Sequence, residues 1–213
     1  GNIYMLWTRL KKDDFETNVI DVLKEMCSIA RARLKNLKAS DFSEIYLFFN
    51  YDGYNDNIPK EYLNIDILGQ MLKTFNNETE LGKLYISYPM IESIKDVDIK
   101  TKDYKTLYIS LDEISKYKQG FSHYSDYSNY RIIEERNWLI ACDASRKRAS
   151  LLVRFDSICT YDYFIHNLNQ EKLYLYQKQN YIYNGHFLCI LNSVSLFLLE
   201  YFQEDFWDRV TVI

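Results

Sequence analysis

The sequence predicts an α/β fold: a small, mainly parallel sheet flanked by helices, followed by a mostly helical C-terminal half. Three observations carry this. Residues 45–49, Ile-Tyr-Leu-Phe-Phe, form an unbroken apolar run that stops at Asn50, Asp52, Gly53, Asn55 and Asp56, the pattern of a buried strand closed by turn formers. A second run covers 84–88, and between the two Ile65, Leu68, Met71, Leu72 and Phe75 recur at helical spacing. Strand, helix and strand then make one crossover unit, which is right-handed in nearly all sheets. Finally, only 6 Gly and 2 Pro in 213 residues leave the second half few places to interrupt its helices.

Each element has its own warrant. Residues 3–7, Ile-Tyr-Met-Leu-Trp, suit a first strand or the lead-in to a helix. From Lys12 a helix is expected: Asp13 and Asp14 favour its positive end, Phe15, Val19, Val22, Leu23, Met26, Ile29 and Ala30 follow at helical period, and Arg31, Arg33, Lys35 and Lys38 suit its negative end. The run at 45–49 is expected as the central strand, covered on both faces as in parallel sheets. The helix over 65–75 ends at Asn76-Asn77. Pro89 suits the first position of a short helix after the second strand. Residues 100–130 are polar and rich in Tyr and Ser, read as loop with short helical pieces. Helices are expected over 131–154, 161–179 and 188–202, with a turn at Asn184-Gly185. The expected division is an α/β core over 1–100 and a helical region over 101–213.

Bulk properties narrow the function. A net charge of −4 supplies no overall attraction to nucleic acid or anionic membrane, so any such contact needs a local basic patch. The stretch 187–202 is too short and too polar, through Asn192, Ser193, Ser195 and Glu200, to span a bilayer. Cys27, Cys142, Cys159 and Cys189 are scattered without C-x-x-C spacing, which disfavours a disulfide framework or a zinc site and fits a reducing cytoplasm. His123, His166 and His186 lack H-E-x-x-H spacing, and no P-loop, G-x-S-x-G or G-x-G-x-x-G occurs. The abundant Tyr is read as a compositional bias rather than a binding surface.

Chemistry is then expected beyond the carboxyl ends of the parallel strands. Asp52, Asp56 and Glu92, with Asn50 as a neutral oxygen donor, supply the oxygen ligands that Mg²⁺ takes while keeping most of its waters. The same residues also read as plain turn formers and a solvated helix start. Arg146, Lys147 and Arg148, with Arg136 and Arg154 nearby, form the one dense basic cluster, a candidate phosphate contact or a solvated helix face.

A hydrophobic strand ending in Asn50-Tyr-Asp52, in place of D-x-D, with a further acid at the sheet edge, resembles the Toprim domain of topoisomerases, primases and OLD-type nucleases over about residues 3–95. The stretch 77–92, Asn-Glu-Thr-Glu-Leu-Gly-Lys-Leu-Tyr-Ile-Ser-Tyr-Pro-Met-Ile-Glu, also looks like a segment of Toprim-like proteins in bacterial phage-defence loci. The resemblance implies a Mg²⁺-dependent nucleic-acid-processing protein, a nuclease, with Asp52 as principal metal ligand, Asp56 and Glu92 auxiliary, and Arg146, Lys147 and Arg148 on the phosphate backbone. Two departures stand against it. Asn50 removes a charge from the pair, and the opening glutamate strand in its E-G context is missing, since Glu25 falls inside a helix. Either a native segment precedes Gly1, or the core is degenerate and the protein is a non-catalytic module for protein partners.

Overall fold

The structure is a computed structural model that describes residues 3–51, 66–97, 108–117, 126–127, 129–153 and 157–213. Asp52, Asp56, His123, Arg154 and the expected domain boundary at residue 100 lie outside the described residues. The chain divides into two compact units, one of Gly1–Leu47 with Tyr54–Leu84 and one of Phe48–Gly53 with Tyr85–Ile213.

The first unit opens with α1 (Ile3–Lys11), which buries Ile3, Tyr4, Leu6, Trp7 and Leu10. The initial apolar run is therefore helical, its buried positions spaced by three and four rather than two. The helix expected from Lys12 begins later. Asp14 and Phe15 take left-handed backbone angles (φ 54° and 64°), which no right-handed helix accommodates, and α2 (Val19–Met26) starts where the Asn18 side chain accepts from the Asp21 N–H at 2.9 Å. Extended Cys27 then separates α2 from α3 (Ser28–Arg33). Ile29 of α3 is exposed, so the apolar periodicity overran the helix by one turn. A 3₁₀ turn, Ala39–Asp41, leads to β1 (Tyr46–Asn50).

After β1 come α4 (Ile67–Thr74), capped by Asp66 on the Gly69 N–H, β2 (Asn76–Asn77) and β3 (Gly82–Ser87). The three strands form one sheet in the order β1-β3-β2. The central strand is β3, buried at five of its six positions, whereas β1 lies at an edge and is only half-buried. β1 and β3 run the same way: Lys83 N–H reaches Ile45 O at one end, and Tyr51 N–H reaches Ser87 O at the other. The sheet is nonetheless mixed, because β2 pairs antiparallel with β3, Asn76 opposite Lys83 and Asn77 opposite Gly82. Asn76-Asn77, expected only to stop a helix, makes a hairpin because the Asn77 side chain accepts from both the Thr79 N–H (3.0 Å) and hydroxyl (2.8 Å), folding the chain back. Gly82 follows this turn at φ 101°, where a Cβ would sit 3.0 Å from Ile45 Cγ2 and 3.2 Å from Ile45 O.

In the second unit β3 continues into Tyr88, which exchanges backbone hydrogen bonds with Leu191. Pro89 follows a cis peptide bond and precedes the 3₁₀ helix Ile91–Asp96; it does not occupy a first helical turn. In the stretch expected as loop with short helical pieces, a 3₁₀ turn and α5 (Ile114–Tyr117) are such pieces, while β4 (Tyr108–Ser110) is a strand that was not expected. The helical half is present as α6 (Glu135–Leu152), α7 (Tyr161–Asn167) and α8 (Gln170–Tyr176), a π-helical segment Gln177–Ile182, the single turn α9 (Tyr183–Gly185), α10 (Ser193–Tyr201) and α11 (Gln203–Thr211). Asn169 caps α8 and splits the helix expected over 161–179. β5 (Phe187–Cys189) pairs antiparallel with β4, so residues expected to open the last helix are extended. That helix starts at Ser193, where Asn192 accepts from the Ser195 N–H. Small residues on the inner side of α6, Ala141, Cys142, Ala144, Ser145, Ala149 and Ser150, are buried, and α6 packs on α10 and α11. No described helix is long and apolar enough to cross a membrane.

Gly82→Ala is expected to lower stability by about 1–3 kcal/mol, through backbone strain and collision with Ile45, read as a lower urea midpoint at unchanged denaturant slope.

Candidate functional site

The expected site lies where β1 and β3 end, and the structure resolves how the chain is held there. The Tyr51 N–H is shared between Ser87 O (3.0 Å) and Pro89 O (3.1 Å). One residue earlier, Asn50 Oδ1 accepts from the Ile91 N–H at 2.9 Å. The Ile91 carbonyl accepts from Asn192 Nδ2 at 2.9 Å, and the same amide group reaches Ser93 Oγ at 3.2 Å. Ile91, the residue before Glu92, is thus held at its N–H by the end of β1 and at its carbonyl by the cap of α10. Parallel pairing of β1 with β3 brings Asn50 beside Ile91, the residue before Glu92; Asp52, the residue expected to share this edge with Glu92, lies outside the described residues.

Glu92 is half-buried on the 3₁₀ helix, with Asp96 one turn on. Burial lifts the Asp96 carboxyl above the ordinary range, opposed by the Tyr117 hydroxyl, which donates to Asp96 Oδ2, and by the Arg148 guanidinium. Tyr117 and Tyr130 are both pushed up, by burial first and then by neighbouring carboxylates, Asp96 and Glu92 for Tyr117 and Glu92 for Tyr130. Glu92 therefore faces a neighbourhood containing Tyr117, Tyr130, Asp96 and Arg148. No apolar periodicity signals this cluster in the sequence, because its members come from four separated segments.

Among the described residues no group of three or more His, Cys, Asp or Glu side chains is placed to hold a metal ion. The described donors at the strand edge are one carboxylate, Glu92, and the Asn50 amide oxygen, which already accepts one hydrogen bond. That set has the hard oxygen chemistry Mg²⁺ takes but too little charge; Asp52 and Asp56, the other expected ligands, lie outside the described residues.

The basic cluster is not a solvated face. Arg146 is 7% exposed and Arg148 2% exposed. Arg146 and Lys147 both pair with Asp143, at 2.7 and 2.5 Å, and the Arg146 guanidinium lies 5.5 Å from the Trp207 ring centre. Arg148 turns inward and donates to the Asp96 carbonyl at 2.8 Å. Helical spacing spreads three consecutive residues around the axis, so they do not share one face.

The four cysteines are free thiols. Burial raises Cys142, Cys159 and Cys189, the last to about 12, whereas the Cys27 thiol is lowered by the Ala30 and Ile29 N–H groups. His166 and His186 stand in separate, exposed pairs with Asp162 and Asp112.

Comparison with known proteins adds no assignment: no family model, no curated protein and no solved structure matches this chain.

Two outcomes follow from the burial of Arg148 and Asp96. Arg148→Ala is expected to cost about 2–5 kcal/mol, since it empties the place of an almost wholly buried side chain and leaves the Asp96 carbonyl without its donor, while Lys147→Ala costs about 1–2 kcal/mol, because Asp143 keeps its pair with Arg146; chemical denaturation separates the two. Because the Asp96 carboxyl is raised in the folded state, its contribution is fully present below the ordinary carboxylate range and is lost as pH rises through the folded value. Asp96→Asn is expected to remove that component. The stability of the wild type relative to this variant should then fall as pH rises from the ordinary carboxylate range towards neutrality.

Proposed function

We propose that the protein is a Toprim-like, divalent-metal-dependent nucleic-acid-processing protein of the phage-defence type, with Mg²⁺ held at the carboxyl ends of β1 and β3. The observation that supports this reading is the parallel pairing of those strands, which sets Asn50 beside Ile91, the residue before Glu92. Asp52 is the principal ligand, Glu92 and Asp56 are auxiliary, and Asn50 is a neutral oxygen donor. When bound, the metal would polarise a phosphate oxygen or activate a water. The chain's own part is to fix the edge: Asn50 holds the Ile91 N–H and Asn192 its carbonyl, so Glu92 departs from a rigid base. Among Arg146, Lys147 and Arg148, Lys147 retains the most exposed side chain, and phosphate contact in this reading falls to it before Arg146 or Arg148.

A second reading, a non-catalytic module for protein partners, is favoured by Asn50. Its oxygen is engaged by a backbone N–H, and as an amide it brings no charge to the edge.

Calorimetric titration with Mg²⁺ and Mn²⁺ distinguishes the two. The first reading expects wild-type binding that Asp52→Ala weakens by at least about tenfold without loss of fold, and that Asn50→Asp strengthens, because aspartate keeps the acceptor for Ile91 and adds a charge. Absence of binding in both wild type and Asn50→Asp would leave the module reading standing.

A further inference from the structure

We propose that Asn184 is a self-modification site, which exchanges its side-chain amide for a carboxylate by reaction with water when the end of the π-helical segment opens. The inference holds whether or not the strand edge takes a metal. Asn184-Gly185 is the one Asn-Gly pair in the sequence, and every other asparagine precedes a residue whose side chain hinders ring closure. Both residues are exposed, so water and hydroxide reach them. The Gly185 backbone nitrogen gives its proton to hydroxide and attacks Asn184 Cγ. The new N–Cγ bond closes a five-membered imide as the Cγ–Nδ2 bond breaks, and Nδ2 leaves as ammonia with a proton taken from water. Water then opens the imide at either carbonyl, leaving aspartate or isoaspartate. The net change is amide plus water to acid plus ammonia. Glycine suits the attacking position because, without a Cβ, its backbone turns freely into the closing geometry.

The fold gates this reaction. The Tyr183 N–H donates five residues back, to Lys178 O, whereas the His186 N–H donates four residues back, to Ile182 O at 3.2 Å. Between them the N–H groups of 184 and 185 meet three carbonyls, those of 179 to 181, so the backbone ladder is one donor short. The Asn184 side chain supplies it: Nδ2 donates to Gln179 O at 2.6 Å. Asn184 therefore sits clamped in the helical turn α9. At helical ψ the following nitrogen lies anti to Cβ across the Cα–C bond, and a five-membered ring closes only after that bond rotates. Rotation breaks the clamp, so conversion waits on local opening of this exposed end. The product does not restore the closed turn. A carboxylate accepts but does not donate, and Gln179 O is left facing a second acceptor. The loosening reaches the end of the β4–β5 pair, because the Leu111 N–H donates to His186 O at 3.1 Å.

The test incubates the whole chain, folded and in urea, at rising pH through the neutral range, and follows Asn184 by peptide mass spectrometry. Conversion is expected in both states and faster as pH rises, but at least about tenfold slower in the folded chain, where the clamp must open first. Amide exchange reads the gate separately. Asn184→Asp, which has the same side chain as the aspartate product, should exchange faster than wild type at His186 and Leu111 while its circular dichroism spectrum stays unchanged. Equal rates in the folded and urea-unfolded chains would overturn the proposal. So would an Asn184 that stays intact in the folded chain over many half-times of the unfolded one, or exchange at His186 and Leu111 that Asn184→Asp leaves unaltered.

Discussion

The joint between the carboxyl end of β3 and the amino end of α10 is the constraint on which the second unit depends. Ser87 Oγ and Ser193 Oγ lie 2.7 Å apart, the Ser193 N–H donates to Ser87 Oγ at 3.2 Å, and Asn192 caps α10 while its amide holds the Ile91 carbonyl and Ser93. Ser87, Ser93, Asn192, Ser193 and Ser195 are each almost wholly buried. Inside a low-dielectric interior such a network is stable only if its members are satisfied together, since one deleted partner leaves another with the desolvation cost of a lost hydrogen bond. The joint therefore fixes three things at once: where β3 stops, where Ile91 and Glu92 emerge, and where α10 begins.

Short strands create a second demand, because each leaves backbone groups that a larger sheet would satisfy. Two buried glutamines answer it. Gln170 Oε1 accepts from the Ile86 N–H at 3.2 Å, and the Gln177 amide brackets Cys189, donating to its carbonyl at 2.6 Å and accepting from its N–H at 3.0 Å. Gln177 acts as a one-residue strand beside β5. The helix widens to π geometry from that residue onward, and local widening of this kind commonly serves a specific side-chain position. Polar residues in this interior thus do backbone work, which is why an α/β unit with so little sheet can bury its strand ends.

These facts explain which parts of the fold were legible. β1, α4 and β3 were read in the right places because apolar runs and helical spacing are local signals, and parallel pairing then put Asn50 beside Ile91, the residue before Glu92. What escaped leaves no mark in apolar periodicity. The hairpin at Asn76-Asn77 comes from a side-chain turn, the break at Cys27 from extended backbone inside an apolar-periodic stretch, and β5 from pairing with β4. Arg146 and Arg148 were misread because charge suggests exposure, while Asp143, Trp207 and Asp96 supply interior partners from the same or distant segments. The acidic centre of the expected site, Asp52 with Asp56, falls outside the described residues, so the candidate site was legible only at its rim.

Asn50 joins the structural and functional arguments. In a D-x-D pattern its position would carry a carboxylate, and the loss of that charge reads as decay. Here the side-chain oxygen has a local task, holding the Ile91 N–H one residue before Glu92. Aspartate could accept the same hydrogen bond, but it would place a second negative charge near Glu92, in a neighbourhood that already contains the Asp96 carboxyl. Like charges at close range disfavour each other's ionised forms unless a cation intervenes. An amide at this position keeps the strand end joined without calling for a cation, whereas a carboxylate would make the edge depend on one. The neutral residue is thus compatible with a stable fold in either reading.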